Sequence, residues 1–138
     1  MYHKIIVVGN LGRDPEMRYT PSGQAVTNFS IASTRRYSDR SGEQREETIW
    51  FRVSVWGKQA ESCNQYLSRG RQVLVEGRLN PDDNGNPRTF QRQDGSTGSS
   101  FEITAQTVRF LSRGGDSGGA QDDGYSTSGT QTEDDIPF

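Results

Sequence analysis

Apolar and polar positions divide the chain into short extended segments joined by turn residues. Lys4–Gly9 is a continuous apolar strand, Asp14-Pro15-Glu16 is a turn, and Met17–Thr20 resumes in extended form before Pro21-Ser22-Gly23 turns again. Ala25–Thr34 predicts a second long strand, with Phe29 and Ile31 on one face. A polar loop follows over Tyr37–Glu46, with Ser41-Gly42 near its tip. Thr48–Trp56 alternates most clearly, placing Ile49, Phe51, Val53 and Val55 on one face and Trp50, Arg52, Ser54 and Trp56 on the other. The first set is a core face. The second should be polar on a half-buried sheet, yet it carries both tryptophans of the chain with an arginine between them.

Gly57 ends that strand, and Lys58–Arg69 predicts a helix with Ala60, Cys63 and Leu67 along one side and Gly70 just past its end. Gln72–Leu79 is a strand with Val73 and Val75 inward, and Phe101–Leu111 is the last strand. Between them Asn80–Ser100 reads as one long loop, a length usually functional or disordered. Three strands, one helix and two strands predict an all-β fold: the OB-fold, a five-stranded Greek-key barrel with one helix between strands 3 and 4. A generic α+β sheet fits the same order nearly as well. Residues 114–138 lose all periodicity and hold six glycines with Ser, Thr, Gln and Asp. They predict a disordered tail after a folded domain at 1–113, because they cannot bury enough surface to offset ordering entropy.

Charge sharpens this division. The 138 residues carry 16 bases and 18 acids, a net −2 that argues against a polyanionic partner. The 16 bases all lie in residues 1–113 against 12 acids, giving +4, while residues 114–138 hold six acids and no base, giving −6. Leu, Ile, Val and Phe make up only about a fifth of the body, a lean core of the kind that gains stability by association.

The inventory excludes several classes of chemistry. One cysteine, Cys63, allows no intrachain disulfide and no cysteine-based zinc site, and one histidine, His3, allows no His-pair metal motif. No metal, no cofactor and no enzymatic activity are expected. Nothing approaches the roughly 20 apolar residues of a membrane span, and the N-terminus lacks a signal-peptide pattern. The expected place is the cytoplasm, with no membrane partner. Gly9-Asn10-Leu11-Gly12 lacks the Gly-Lys-Ser/Thr of a P-loop and, with Arg13-Asp14-Pro15, reads as a strand end.

The tryptophan face is the first candidate site. As a stacking platform, Trp50 and Trp56 would receive bases while Arg52 meets phosphate. Alternatively the rings cover a second core layer or a subunit interface. Basic residues bracketing aromatics elsewhere favour binding. Arg35, Arg36, Tyr37, Arg40 and Arg45 share one loop, Arg88, Phe90 and Arg92 the other, and Lys58, Arg69, Arg71 and Arg78 lie nearby in sequence. Lys4 and Arg18 are weaker phosphate candidates. The second site is the C-terminal tip, where Asp134, Asp135, Ile136, Pro137 and Phe138 place apolar groups and a carboxylate at the end of an acidic arm. That is the chemistry of a peptide ligand for a basic-rimmed apolar pocket. An arm of 25 residues reaches roughly 25–30 Å, enough to recruit a partner or to fold back on the basic body.

Several motifs together resemble the bacterial single-stranded DNA-binding protein family over nearly the whole chain. They are Val8-Gly9-Asn10-Leu11-Gly12-Arg13-Asp14-Pro15-Glu16-Met17-Arg18-Tyr19, Thr48–Lys58, Tyr66-Leu67 with Gly70, Val75-Glu76-Gly77-Arg78-Leu79 and Asp134–Phe138. The resemblance implies a homotetramer of OB-folds that wraps single-stranded DNA, associated with the nucleoid. It implies base stacking at Trp50, Trp56 and Phe90, with Tyr37 as a further ring, and a DNA path lined by Lys4, Arg18, Arg52, Lys58 and Arg69. It also implies recruitment of replication, recombination and repair proteins by the tip, and pairing across a dimer by His3–Val8. Two departures stand out: Asn80–Arg88 is longer than in many relatives, and Phe51 replaces the polar or histidine residue that some members carry.

Overall fold

The computed structural model describes residues 1–111. In chain order the elements are β1 (Ile5–Leu11), β2 (Glu16–Tyr19), β3 (Ala25–Ser38), β4 (Gln44–Trp56), α1 (Lys58–Tyr66), β5 (Gln72–Leu79), β6 (Arg88–Gln91) and β7 (Thr97–Leu111). Their pairing runs β1-β5-β7-β4-β3, and β3 returns to β1 through Asn10↔Ala32 and Leu11↔Ile31, which closes a five-stranded barrel. β4 and β7 are parallel, from Phe51↔Phe101 to Ser54↔Thr104, and the other barrel pairs are antiparallel. β2 adds a short strand outside β3, and β6 folds back on the start of β7. Closure needs a bare backbone at two points, Gly77 against the Thr104 carbonyl oxygen and Gly9 against that of Ala32. A Cβ on Gly9 would stand 2.6 Å from the carbonyl oxygen of Ala32.

The inward residues of the alternating strands fill the barrel. Ile31, Val53, Val55, Val73, Val75 and Ile103 are almost fully removed from water, the burial that drives closure. α1 packs against this core through Ala60 and Cys63, followed by Leu67. Gly57 makes the turn from β4 into α1 at φ 71°, a left-handed conformation that suits glycine. Thr27 is the one buried polar side chain among the described residues, and its hydroxyl donates to the Ala60 carbonyl at 2.6 Å. That bond satisfies a buried group and ties α1 to β3. Burial pushes the Cys63 thiol up to about 11, so Cys63 stays protonated as a packing residue.

The barrel and its helix match the expected OB-fold, with the helix between the third and fourth barrel strands. Four local differences have physical causes. The helix stops at Tyr66 rather than Arg69, because Leu67 turns to extended backbone while its N–H still bonds the Cys63 carbonyl at 3.0 Å. The expected polar loop Tyr37–Glu46 is mostly a two-stranded ribbon, paired from Thr34↔Thr48 to Ser38↔Gln44. Its residues are polar on both faces, so no apolar period marks it. Cross-strand pairs hold it instead: Arg35–Glu47 at 3.1 Å, Arg36–Glu46 at 2.9 Å and the Thr34–Thr48 hydroxyls at 2.8 Å. Asp39 closes its tip by accepting from the Ser41 and Glu43 amides at 2.9 and 3.0 Å. The segment Asn80–Ser100 likewise contains a hairpin, β6 against β7, turned at Gly95. Ile49, placed on the core face by alternation, is exposed because it belongs to the start of the ribbon rather than to the closed barrel.

Candidate nucleic-acid interface

The outer face of β4 is set by its register with its neighbours. Trp50, Arg52, Ser54 and Trp56 stand opposite Ala32, Ser30, Asn28 and Val26 of β3. Directly opposed residues share a face, and Ala32 and Ser30 are too small to cover the rings. On the other side, parallel β7 brings Glu102 and Thr104 beside Arg52 and Ser54. β2 brings Arg18 opposite Val26, in line with Trp56. Trp50 is 54% exposed and Trp56 41%, so neither forms a second core layer within this chain. Trp50 lies over Gly12, where an added Cβ would be 2.5 Å from its ring.

Two adjoining hollows follow this face. A groove of about 670 Å³ is lined by Arg13, Arg18, Arg52 and Phe90 with the polar Asn28 and Ser30. A smaller one of about 310 Å³ shares Arg13 and Ser30 and ends at Gly12 and Trp50. The two form one cleft from Trp50 to Phe90, in which Arg13, Arg18 and Arg52 lie beside the carboxylates of Asp14, Glu16 and Glu102. Arg13, Arg18 and Arg52 form no salt bridge among the described residues. The acids of the cleft are partly engaged. Glu102 lies 3.7 Å from Arg88 and accepts from the Ser100 hydroxyl at 3.1 Å, and Asp14 accepts from the Arg69 amide at 2.8 Å.

The remaining candidates are distributed unevenly. Phe90 and Arg88 lie on β6, and the Arg92 guanidinium is 5.6 Å from the Phe90 ring centre. Arg78 on β5 stands opposite Thr104, which itself neighbours Ser54, so it shares the outer surface. Lys58 opens α1 two residues after Trp56 and is exposed. Arg69 meets Asp14 at the cleft's edge only through its backbone amide, whereas Arg71 is half-buried and its Nε has no hydrogen-bond partner among the described residues. Arg36 lies on the Trp50 side of the ribbon, while alternation puts Tyr37 on the opposite side with Arg35, 4.7 Å from its ring centre. Lys4 lies apart, on the β1–β5 side, with its ammonium 2.8 Å from Glu76. The hydrogen bond and charge of Glu76 hold Lys4 above the usual lysine range, and Lys4 holds Glu76 below the usual carboxylate range. Asp134, Asp135, Ile136, Pro137 and Phe138 lie outside the described residues.

Arg13 was missed by sequence reasoning, which took it as part of a strand end. The available signal was its place in the connection between the first two barrel strands, a loop that OB barrels use for oligonucleotides. The cleft offers stacking surfaces and fixed positive charge. It offers no nucleophile with a base, and no group of three or more metal-ligating side chains occurs among the described residues.

The single-strand binding protein family matches residues 2–111. The chain belongs to that family. Its members are binding proteins and not enzymes. The chain is similar to the single-stranded DNA-binding protein 1 of Chlorobaculum tepidum, 40% identical over 90% of this chain and 74% of that protein. It is equally similar to the single-stranded DNA-binding protein of Neisseria meningitidis, 40% identical over 89% of this chain and 68% of that one. A crystal structure of a deletion mutant of the single-stranded DNA binding protein from Thermus aquaticus superposes with a TM-score of 0.63 at 32% identity. That match covers 81% of this chain and only about half, 51%, of the Thermus chain. The fold also recurs in a Plasmodium falciparum SSB complex with ssDNA, with a TM-score of 0.64 at 24% identity over 81% of this chain and 96% of the other.

Proposed function

We propose that this chain binds single-stranded DNA with little sequence preference, protecting it during replication, recombination and repair. The observation that carries the reading is the outer face of β4, where Trp50 and Trp56 stand open to solvent beside a cleft lined by Arg13, Arg18 and Arg52. Base stacking is worth about 1–3 kcal/mol per base and tolerates any base, since each has a π-face. Arg36 and Arg88 extend the basic path, because their carboxylate partners are held in exposed or half-exposed pairs that contribute little. A phosphate can replace such a partner at low cost. The test is a tryptophan fluorescence titration with oligothymidine at several salt concentrations. Emission should quench, and log affinity should fall linearly with log salt, by about 0.7 per phosphate neutralised. Silent tryptophans or a salt-independent constant would reject the reading.

In this reading the binding body at 1–113 assembles as a homotetramer. Support comes from β1, where Ile6 and Val8 are exposed and the edge facing away from β5 has no strand partner over Ile5–Gly9 among the described residues. Light scattering should give four chains per particle. The tail at 114–138 recruits partner proteins of replication, recombination and repair through Asp134–Phe138, and competes with DNA for the basic body. Deleting Asp134–Phe138 should abolish partner capture and leave DNA affinity equal or slightly higher. The protein would act in the cytoplasm at the nucleoid. No helix among the described residues is long and apolar enough to cross a membrane.

A further inference from the structure

Gly98 presents a choice of residue that the backbone does not explain. It lies inside β7, directly opposite Phe90 of β6. Glycine within a strand weakens it, through chain entropy and a missing side chain. The neighbouring turn glycine, Gly95, is justified by φ 83°, but Gly98 has no such left-handed backbone. What distinguishes Gly98 is its cover. It is buried although the hairpin around it is exposed, and a Cβ added there would stand 2.6 Å from Cζ and 3.0 Å from both Cε atoms of Phe90. The Phe90 ring occupies the space a side chain would take, an aromatic covering a cross-strand glycine. Phe90 as a whole is nonetheless 41% exposed and lines the cleft.

We propose that Gly98 is the positioning residue of Phe90. Its bare backbone is a flat seat that lays the ring against the sheet and leaves one face open for a base. The inference rests on the single-stranded DNA reading and adds a specificity to it: the seat sets where the far end of the cleft stacks. A ring already held in its stacking position loses little further freedom on binding. The three atoms nearest to a methyl group at 98 all belong to the end of the Phe90 ring, so the ring is what it would meet first. The ring would swing off its seat while the barrel, which makes no use of β6, remains closed.

The test is a double-mutant cycle on the full chain, reading oligothymidine affinity for the wild type, Gly98→Ala, Phe90→Ala and the pair. Gly98→Ala should weaken binding about tenfold, keep the tryptophan quench of Trp50 and Trp56, and cost nothing further once Phe90 is alanine. Ser99→Ala, on the opposite face of the same strand, controls for general disturbance of the hairpin and should bind as the wild type does. Unchanged affinity in Gly98→Ala overturns the proposal, as does an equal loss in both backgrounds, which would mean that Gly98 acts on the hairpin and not through the ring. Wild-type affinity in Phe90→Ala would also overturn it, since there would be no stacking ring to seat. Failure of the DNA reading itself is distinguishable, because the wild type would then not bind oligothymidine at all. Loss of the quench in Gly98→Ala would signal a damaged barrel and would likewise count against the seat; a thermal melt of each variant locates such damage.

Discussion

β4 shows its two faces in alternate residues, and they follow different rules. Inward, Phe51, Val53 and Val55 are buried against β3, β7 and α1. Outward, Trp50 and Trp56 carry larger apolar surface than any of the three, yet remain open to water. Exposing such rings forgoes burial worth a few kcal/mol in principle. The inner face is what the fold requires. The outer face is what the fold can spare, and it is there that rings, arginines and small residues gather into a cleft. The proposed function occupies the positions on which closure of the barrel does not depend.

That contrast can be broken in graded steps. The largest effect belongs to the inner face. Phe51 packs on Phe101 at 5.9 Å between ring centres, so Phe51→Ala should cost about 3–5 kcal/mol of stability in denaturant melts. DNA affinity of the folded fraction should be nearly kept. Next comes the outer face, where Trp50→Ala should reverse the pattern, losing about 1–3 kcal/mol of oligothymidine affinity while the melt hardly moves. If both substitutions acted on stability alone, the division of faces would be wrong. Smaller again is Arg13→Gln. It should lower the slope of log affinity against log salt by about 0.7, one phosphate's worth, and an unchanged slope would remove Arg13 from the cleft's phosphate path.

The smallest effect lies at the ribbon tip, far from both faces. Hydrogen bonds from the Ser41 hydroxyl, then Arg45, hold the Asp39 carboxyl down to about 2 from its ordinary 3.8. A depressed carboxyl contributes stability that is present above its unfolded value and is lost as pH falls through the folded one. The tip should therefore keep its turn at pH 5 and loosen between pH 4 and 2, as read by amide exchange at Ser41 and Glu43. Asp39→Ala should remove that dependence and leave DNA binding at neutral pH unchanged.

Legibility in the sequence followed the same line as the two faces. Val73, Val75, Phe29 and Ile31 announced inward strand faces because burial imposes a strict period of two. Trp50 and Trp56 were legible as an anomaly, since large rings appeared where that period called for polar groups. The ribbon carrying Arg35 and Arg36 was not legible as strand. Its pairing depends on cross-strand carboxylates and a turn, and its residues are polar on both sides. Arg13 and Gly98 were invisible for a different reason. Their roles come from neighbours distant in sequence, Ser30 and Trp50 for the one and Phe90 for the other.

The sequence by itself determined the barrel strands, the helix with its buried Cys63, the charge contrast between residues 1–113 and 114–138, and the likeness to a family of binding proteins. These rest on local periodicity, composition and motif, all of which are written along the chain. The tertiary structure alone decided which arginines share the cleft with Phe90, that Lys4 is paired with Glu76 on another side, and that Tyr37 faces away from Trp50. It also decided that two glycines lie beneath exposed rings. The physical reason is register: each of these facts depends on which residue of one strand stands opposite which residue of another, and closure of the barrel sets that pairing.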